Sequence, residues 1–237
     1  MNEFTVLLQP AYILHYRQFR ETSLIAEVLT RDFGRLALLA KGVRNPKSKF
    51  APLIRPFIPV LLSFTGRSEL KTLTHIESSQ NAPELHGIAL YCGFYLNELL
   101  GFLLHAFDPH PEIFHLYEQT LSALSNSSEQ EHILRRFEIN LLSHIGYGLQ
   151  FDYDNRNQRP VSAQKHYAFD AESGPVEDEG GLFAGNTLLA MANQTFDDTQ
   201  ILIEAKKIMR TVIDFHLNGK KLKSRAVISK ILQQNSI

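Results

Sequence analysis

The sequence predicts an α+β, multidomain chain: a small five-stranded β-barrel over residues 1–80, followed by a mainly α-helical domain over residues 81–237 with an irregular polar insert at about 150–181. Three observations carry this prediction. Short runs rich in β-branched and aromatic residues, separated by turn residues, fill the first 80 positions. After Pro83 the apolar period changes from two to 3.6. Across 150–181 that period dissolves into polar residues, including Glu177-Asp-Glu179-Gly-Gly181, which implies an irregular or weakly β segment.

Strands are expected at 11–16, 23–30, 35–43, 57–64 and 70–77. Asp32-Phe33-Gly34, Asn45-Pro46 and Gly66-Arg67-Ser68 supply the turns between them. Five strands in so short a stretch suit a closed barrel, because closure removes the edges a small sheet would leave exposed. Between the third and fourth strands, residues 44–56 form a basic loop or short helix with Arg44, Lys47, Lys49 and Arg55 among prolines.

The first helix follows from Ile88, Tyr91, Tyr95, Leu99, Leu103 and Phe107, a stripe widened by Leu96 and Leu100 and stopped by Asp108-Pro-His-Pro111. The second runs through Ile113, Leu116, Leu121 and Leu124. Ser128 and Glu131 form a capping-box pattern ahead of a third, with Ile133, Phe137, Leu141 and Ile145 apolar and Gly146-Tyr-Gly148 at its end. Further helices are expected at 187–192 and 199–217.

Composition excludes several classes. A single cysteine, Cys92, permits neither an intrachain disulfide nor a Cys-rich zinc site, and fits a reducing compartment. The N-terminus carries Glu3 and no basic residue before Arg17, unlike a secretory signal, so a cytosolic protein is expected. Residues 88–107 are long and apolar enough to resemble a membrane span, but Asn97 and Glu98 stand at the middle, where an acid costs about 2.5–3.5 kcal/mol. A buried helix is the expectation there.

No spacing supplies an active site. Ser162-Ala-Gln-Lys165 matches a nucleophile–base pattern, but it lies in the least periodic segment without its companion motifs. Asn218-Gly-Lys-Lys lacks the upstream glycine and following hydroxyl of a phosphate loop. His105, His110 and His115 are five apart and interrupted by prolines, whereas a helical metal pair needs spacings of three or four. Asp152 and Asp154 have no partner pair, and Cys92 reads as a small core residue.

The net charge of −1 conceals a pattern: residues 1–80 carry +5, 81–200 carry −12 and 201–237 carry +6. A barrel with basic charges and interleaved aromatic residues such as Tyr16, Phe33 and Phe50 suits single-stranded nucleic acid, since cations neutralise phosphates while bases stack on rings. On charge alone, nucleic-acid binding and plain solubility both remain open.

An ordered set of motifs adds a resemblance. Ile13-Leu-His-Tyr-Arg-Gln-Phe-Arg-Glu-Thr-Ser-Leu24, Thr30-Arg-Asp-Phe-Gly-Arg35, Ala40-Lys-Gly-Val-Arg44, Pro56-Phe57 and Gly66-Arg-Ser-Glu-Leu-Lys-Thr-Leu73 are followed by residues 90–100, Leu134-Arg-Arg-Phe-Glu138, Gly146-Tyr-Gly148 and Leu217-Asn-Gly-Lys-Lys-Leu-Lys-Ser-Arg225. From about residue 11 to 225 this resembles the RecO family of bacterial DNA repair proteins. The resemblance implies an OB-fold followed by a helical domain, and a non-enzymatic recombination mediator in the cytoplasm, associated with the nucleoid. It implies binding of single- and double-stranded DNA, annealing of complementary strands, work with RecR, and help to RecA in replacing the single-stranded-DNA-binding protein SSB. Many members of the family hold zinc through four cysteines in the segment matching about 149–181; this sequence has none there, so no metal or cofactor is expected.

Under this resemblance Arg31, Arg35, Lys41, Arg44, Lys47 and Lys49, with Lys71, are expected to form the DNA path. Arg135, with Arg136, is expected to capture the carboxylate of the SSB C-terminal tail, which ends in acids and a Phe, because a guanidinium grips a carboxylate bidentately. The competing reading pairs both arginines with Glu131 and Glu138. The basic cluster Lys206, Lys207, Arg210, Lys220, Lys221, Lys223 and Arg225 serves either DNA or RecR. An RNA-binding or ribosome-associated module is the alternative function.

Overall fold

Residues 4–79 and 82–234 are described by a computed structural model. The chain packs as two compact units, Met1–Ser127 with Leu222–Ile237, and Ser128–Lys221. They part well beyond the change of period at Pro83, so the first two helices pack with the strands.

The first unit begins with β1 (Thr5–Phe19), β2 (Ser23–Thr30), β3 (Gly34–Ala40), β4 (Pro59–Thr65) and β5 (Leu70–Ser78). β1 pairs antiparallel with both β2 and β4, and β3 pairs parallel with β5, so the ladder β1-β2-β3-β5-β4 closes into a barrel with the strand order of an OB-fold. Alternation explains its filling: Leu36, Leu38 and Ala40 point inward, while Arg35, Ala37 and Leu39 stand on the outer face. β1 starts six residues before the expected strand, because Leu7 and Leu8 bulge out opposite Ser63 and break the alternation.

Helices α1 (Gly87–Leu103) and α2 (Pro111–Asn126) follow, and α6 (Lys223–Gln234) returns to pack on α1. Leu96, Leu99 and Leu100 are fully buried, each contributing about 1.5–3 kcal/mol. The polar pair at the middle of α1 has partners. Asn97 donates to the Leu14 carbonyl at 2.8 Å and accepts from the Tyr117 hydroxyl at 2.6 Å. Glu98 accepts from the Lys223 and Ser224 amides, capping α6, a helix not anticipated from the pattern. Among the described residues no helix is long and apolar enough to cross a membrane. α1 stops short of Phe107 because residues 104–107 turn back to the barrel, where the Phe107 amide donates to the Arg35 carbonyl.

The second unit holds α3 (Gln130–His144), α4 (Gly185–Ala192) and α5 (Thr199–Leu217). The Ser128–Glu131 capping box does not form; the Glu131 carboxylate is drawn to the Lys206 ammonium at 2.6 Å. α3 ends in a Schellman motif: Gly146, at φ 83°, and Tyr147 donate to the carbonyls of Ser143 and Leu142.

The polar insert is weakly β, with β6 (Tyr153–Asp154) paired to β7 (Arg159–Pro160), and β8 (His166–Asp170) between β9 (Gly174–Glu177) and β10 (Phe183–Ala184). Its centre is Asp154, fully buried, whose carboxylate accepts from the Asn157 amide, the Asn157 side chain and the Glu177 amide at 2.7–2.9 Å. Burial pushes this carboxyl up, but those donors outweigh it and hold it below the usual carboxylate range. The segment that would carry zinc in the family this sequence resembles offers no thiol, and the N–H groups converging on Asp154 would repel a cation; the residues present do not fit the metal.

Candidate nucleic-acid interface

Between Asp32 and Glu69 the chain contains no acidic residue, yet it holds seven cations: Arg35, Lys41, Arg44, Lys47, Lys49, Arg55 and Arg67. The fold gathers four expected site residues, Lys41, Arg44, Lys47 and Lys49, on the 18-residue loop 41–58 that joins β3 to β4. The loop is not slack. Val43, Ile54 and Ile58 are buried in the barrel core, Phe50 packs edge-on against His75 at 5.9 Å, and the Arg44 amide donates to the Thr22 carbonyl. The Arg44 guanidinium reaches the carbonyls of Arg20 and Glu21, tying the loop to the β1–β2 turn.

All four cations are exposed, and among the described residues Lys41, Lys47 and Lys49 have no carboxylate partner. No described carboxylate neutralises them, so their charge is directed to solvent and whatever it contains. The loop residue Arg55 is exposed as well. Two further cations escaped the expectation. Arg17 and Arg20 are exposed at the end of β1, and Arg20 lines one groove of about 690 Å³ with Lys41. Their position in the same basic window as the loop was a usable signal. Tyr16, also exposed, lies on the same strand, whereas Phe33 and Phe50 are half-buried against the core.

The other expected DNA residues stand apart from this loop. Arg31 makes a two-pronged ion pair with Asp32 at 2.9 Å, which lowers the Asp32 carboxyl and raises the guanidinium. Arg35 is held by Glu27 at 2.6 Å and by the Leu104 carbonyl at 3.1 Å, so it fastens the barrel to the segment after α1. Lys71 is 8% exposed, with its ammonium over the rings of Phe4 and Phe107. Each of these three lies off the loop and already has a partner in the structure, so the seven expected residues are not one set of free cations. The reason is the same for each: the fold brings them an acceptor or a ring.

In the second unit the arginine pair also divides. Arg135 is buried and ion-paired with Glu138, one side of the competing reading. Arg136 is exposed, and its Nε donates to the Gln194 carbonyl at 3.2 Å. One turn on from Arg136 opens a cavity of about 430 Å³, lined by Ile139, Leu142, Tyr147, Met191, Met209 and Val212 among others. Tyr147 stacks on His216 at 4.1 Å, and burial favours the neutral form of that imidazole. Of the two arginines expected to act together, only Arg136 faces solvent. Helical phase was the signal: relative to Leu134, Arg135 falls about 100° round and Arg136 about 200°, opposite the apolar stripe.

No catalytic arrangement accompanies these surfaces among the described residues. Lys165 is bound to Glu177, while the Ser162 hydroxyl donates to Gln164. No group of His, Cys, Asp or Glu among the described residues is disposed to hold a metal. Cys92 is buried in α1.

Comparison with known proteins decides the family. Residues 1–82 match "Recombination protein O N terminal" and residues 85–226 match "Recombination protein O C terminal". The chain belongs to the RecO family. It is similar to the DNA repair protein RecO of Methylococcus capsulatus, 44% identical over 93% of this chain and 92% of that one. It is similar also to that of Nitrosococcus oceani, 43% identical over 98% of this chain and 96% of that one. RecO membership makes this a protein of DNA repair and recombination, and the two matched regions divide where the period changes from strand to helix.

Proposed function

We propose that this protein is a non-enzymatic recombination mediator that binds single- and double-stranded DNA without sequence preference, anneals complementary strands, and with RecR helps RecA replace SSB on gapped DNA. The observation that carries this reading is the pinned loop 41–58, whose Lys41, Arg44, Lys47 and Lys49 are exposed in a stretch free of acids. Cations that contact phosphate give affinity to any sequence, which a protein acting at any gap needs. Arg17, Arg20 and Arg55 belong to the same surface in this reading.

The SSB tail is received on the second unit. Arg136, one helical turn before the cavity-lining Ile139, grips a terminal carboxylate, and the apolar lining around Leu142, Met191 and Met209 takes the terminal Phe. The remaining cations of the C-terminal cluster serve RecR or DNA, and the protein acts in the cytoplasm at the nucleoid.

One experiment tests both surfaces: annealing of complementary strands, naked and coated with SSB. The wild type is expected to anneal both. Arg136→Ala should anneal naked strands normally but fail on coated ones, and the Arg44/Lys47/Lys49 triple alanine variant should lose both. A wild-type protein that cannot anneal coated strands would overturn the reading.

A further inference from the structure

We propose that the end of the barrel carrying the β2–β3 and β4–β5 turns is a second nucleic-acid subsite, a pocket that stacks one extruded base on Phe4 and Phe107 while Lys71 meets a neighbouring phosphate. The proposal rests on the DNA-binding reading above and adds to it a preference for single strands.

The pocket, about 330 Å³, lies at the opposite end of the barrel from the basic loop and is lined by Phe4, Phe33, Phe64, Phe107, Arg67 and Lys71 among others. That volume is near the lower bound of about 300–1,000 Å³ for pockets that hold one small ligand. Two of its rings are unusually open: Phe4 is 46% and Phe107 40% exposed. The Lys71 ammonium lies 5.4 and 5.1 Å from their centroids, in a residue only 8% exposed, and among the described residues it has no hydrogen-bond acceptor and no carboxylate. A cation withdrawn from water without a counter-charge is costly, and ring faces compensate it only in part. It asks for an anion.

Among the described residues the nearby carboxylates do not supply one. Asp32 is bound two-pronged by Arg31, Asp108 contacts His110 at 3.2 Å, and Glu69 is exposed in the β4–β5 turn. The rings are set in advance. Phe107 adopts φ 59° and its amide donates to the Arg35 carbonyl at 2.9 Å. Gly34, at φ 66°, lies so close to the Asp108 backbone that a Cβ there would collide with it, so the β2–β3 turn and the segment bearing Phe107 are locked together.

The ligand must offer a flat aromatic face and an anion a few bonds away. Every residue of a nucleic-acid strand does, but in a duplex the base lies inside the stack, so the pocket selects single strands. An acidic peptide ending in an aromatic residue has the same elements. The acid-free stretch from 33 to 68, which includes Phe33, Phe64 and Arg67, favours a polyanion.

The test compares the full-length protein on an oligo-dT 20-mer and on an abasic 20-mer with equal phosphates, by fluorescence anisotropy across salt. The wild type should bind the dT strand about 5- to 150-fold more tightly than the abasic one, the span of a single base–aromatic stack. Phe4→Ala and Phe107→Ala should bring that ratio close to one and leave the salt slope on the abasic strand unchanged. Lys71→Met should flatten the slope on dT by about 0.7, one phosphate's worth. If Phe107→Ala fails to fold, Phe4→Ala, at a half-exposed side chain, decides. A wild-type ratio near one, or a ratio unmoved by Phe4→Ala, overturns the subsite while steep salt dependence on both strands leaves the basic loop standing. Failure to bind either strand overturns both. An acidic, Phe-ended peptide that binds the wild type but not Phe4→Ala assigns the pocket to a peptide and likewise overturns it.

Discussion

The loop 41–58 and the strand pair β2–β3 draw on neighbouring parts of one basic stretch and use their cations in opposite ways. On the loop, Lys41, Lys47 and Lys49 meet no carboxylate among the described residues and stand in solvent. On the strand pair and its turn, Glu27 and Asp32 reach Arg35 and Arg31 and pair with them. The same division recurs within one turn of α3, where Arg135 is locked to Glu138 and Arg136 is open. It recurs with opposite charge in the insert, where Asp152 is exposed and Asp154 buried. A charge is available for binding only where the fold brings it no partner of its own.

The sharpest way to break this comparison is to remove the buried arginine. Arg135→Ala leaves the Glu138 carboxylate buried beside an empty site and should destabilise the protein by about 3–5 kcal/mol in urea unfolding, whereas Arg136→Ala should stay within about 0.5 kcal/mol. Equal effects would refute the division in α3. A smaller effect is expected at Arg35. Its alanine variant should lose about 1–3 kcal/mol of stability, through the orphaned Glu27 contact and Leu104 carbonyl, with the salt slope of DNA binding unchanged.

The least effect is confined to acid. Because the Asp154 carboxyl is held below its ordinary value, its stabilisation is fully present above the unfolded value of about 3.9 and is lost as pH falls through the folded value. Asp170 and Glu204 are lowered too, so the difference between the wild type and Asp154→Asn isolates the one residue. That difference should shrink as pH falls from about 5 toward 2. A constant difference would mean that the buried carboxylate contributes shape and not charge.

Much of the fold was legible because its cues are local. Turn residues marked the strands, and the step from period two to 3.6 marked α1. The misses have physical causes. The bulge at Leu7 and Leu8 hid the start of β1, and α6 is short, basic and capped by Glu98, a residue 125 positions earlier in the chain. Of the candidate site, the loop cations were legible as composition. Their separation from Arg31, Arg35 and Lys71 was not, because partners such as Leu104 and Phe107 come from the segment after α1. The cavity beside Arg136 joins α3 to Met191 and Met209, which only the packed chain brings together.

The free cations of the loop are proposed to carry the DNA affinity, and the paired ones are not. Single-strand affinity measured against salt for the Arg44/Lys47/Lys49 triple alanine variant tests it directly. Losing three phosphate contacts should flatten the slope of log K against log salt by about two. A slope equal to that of the wild type, in a variant that folds normally, would contradict it.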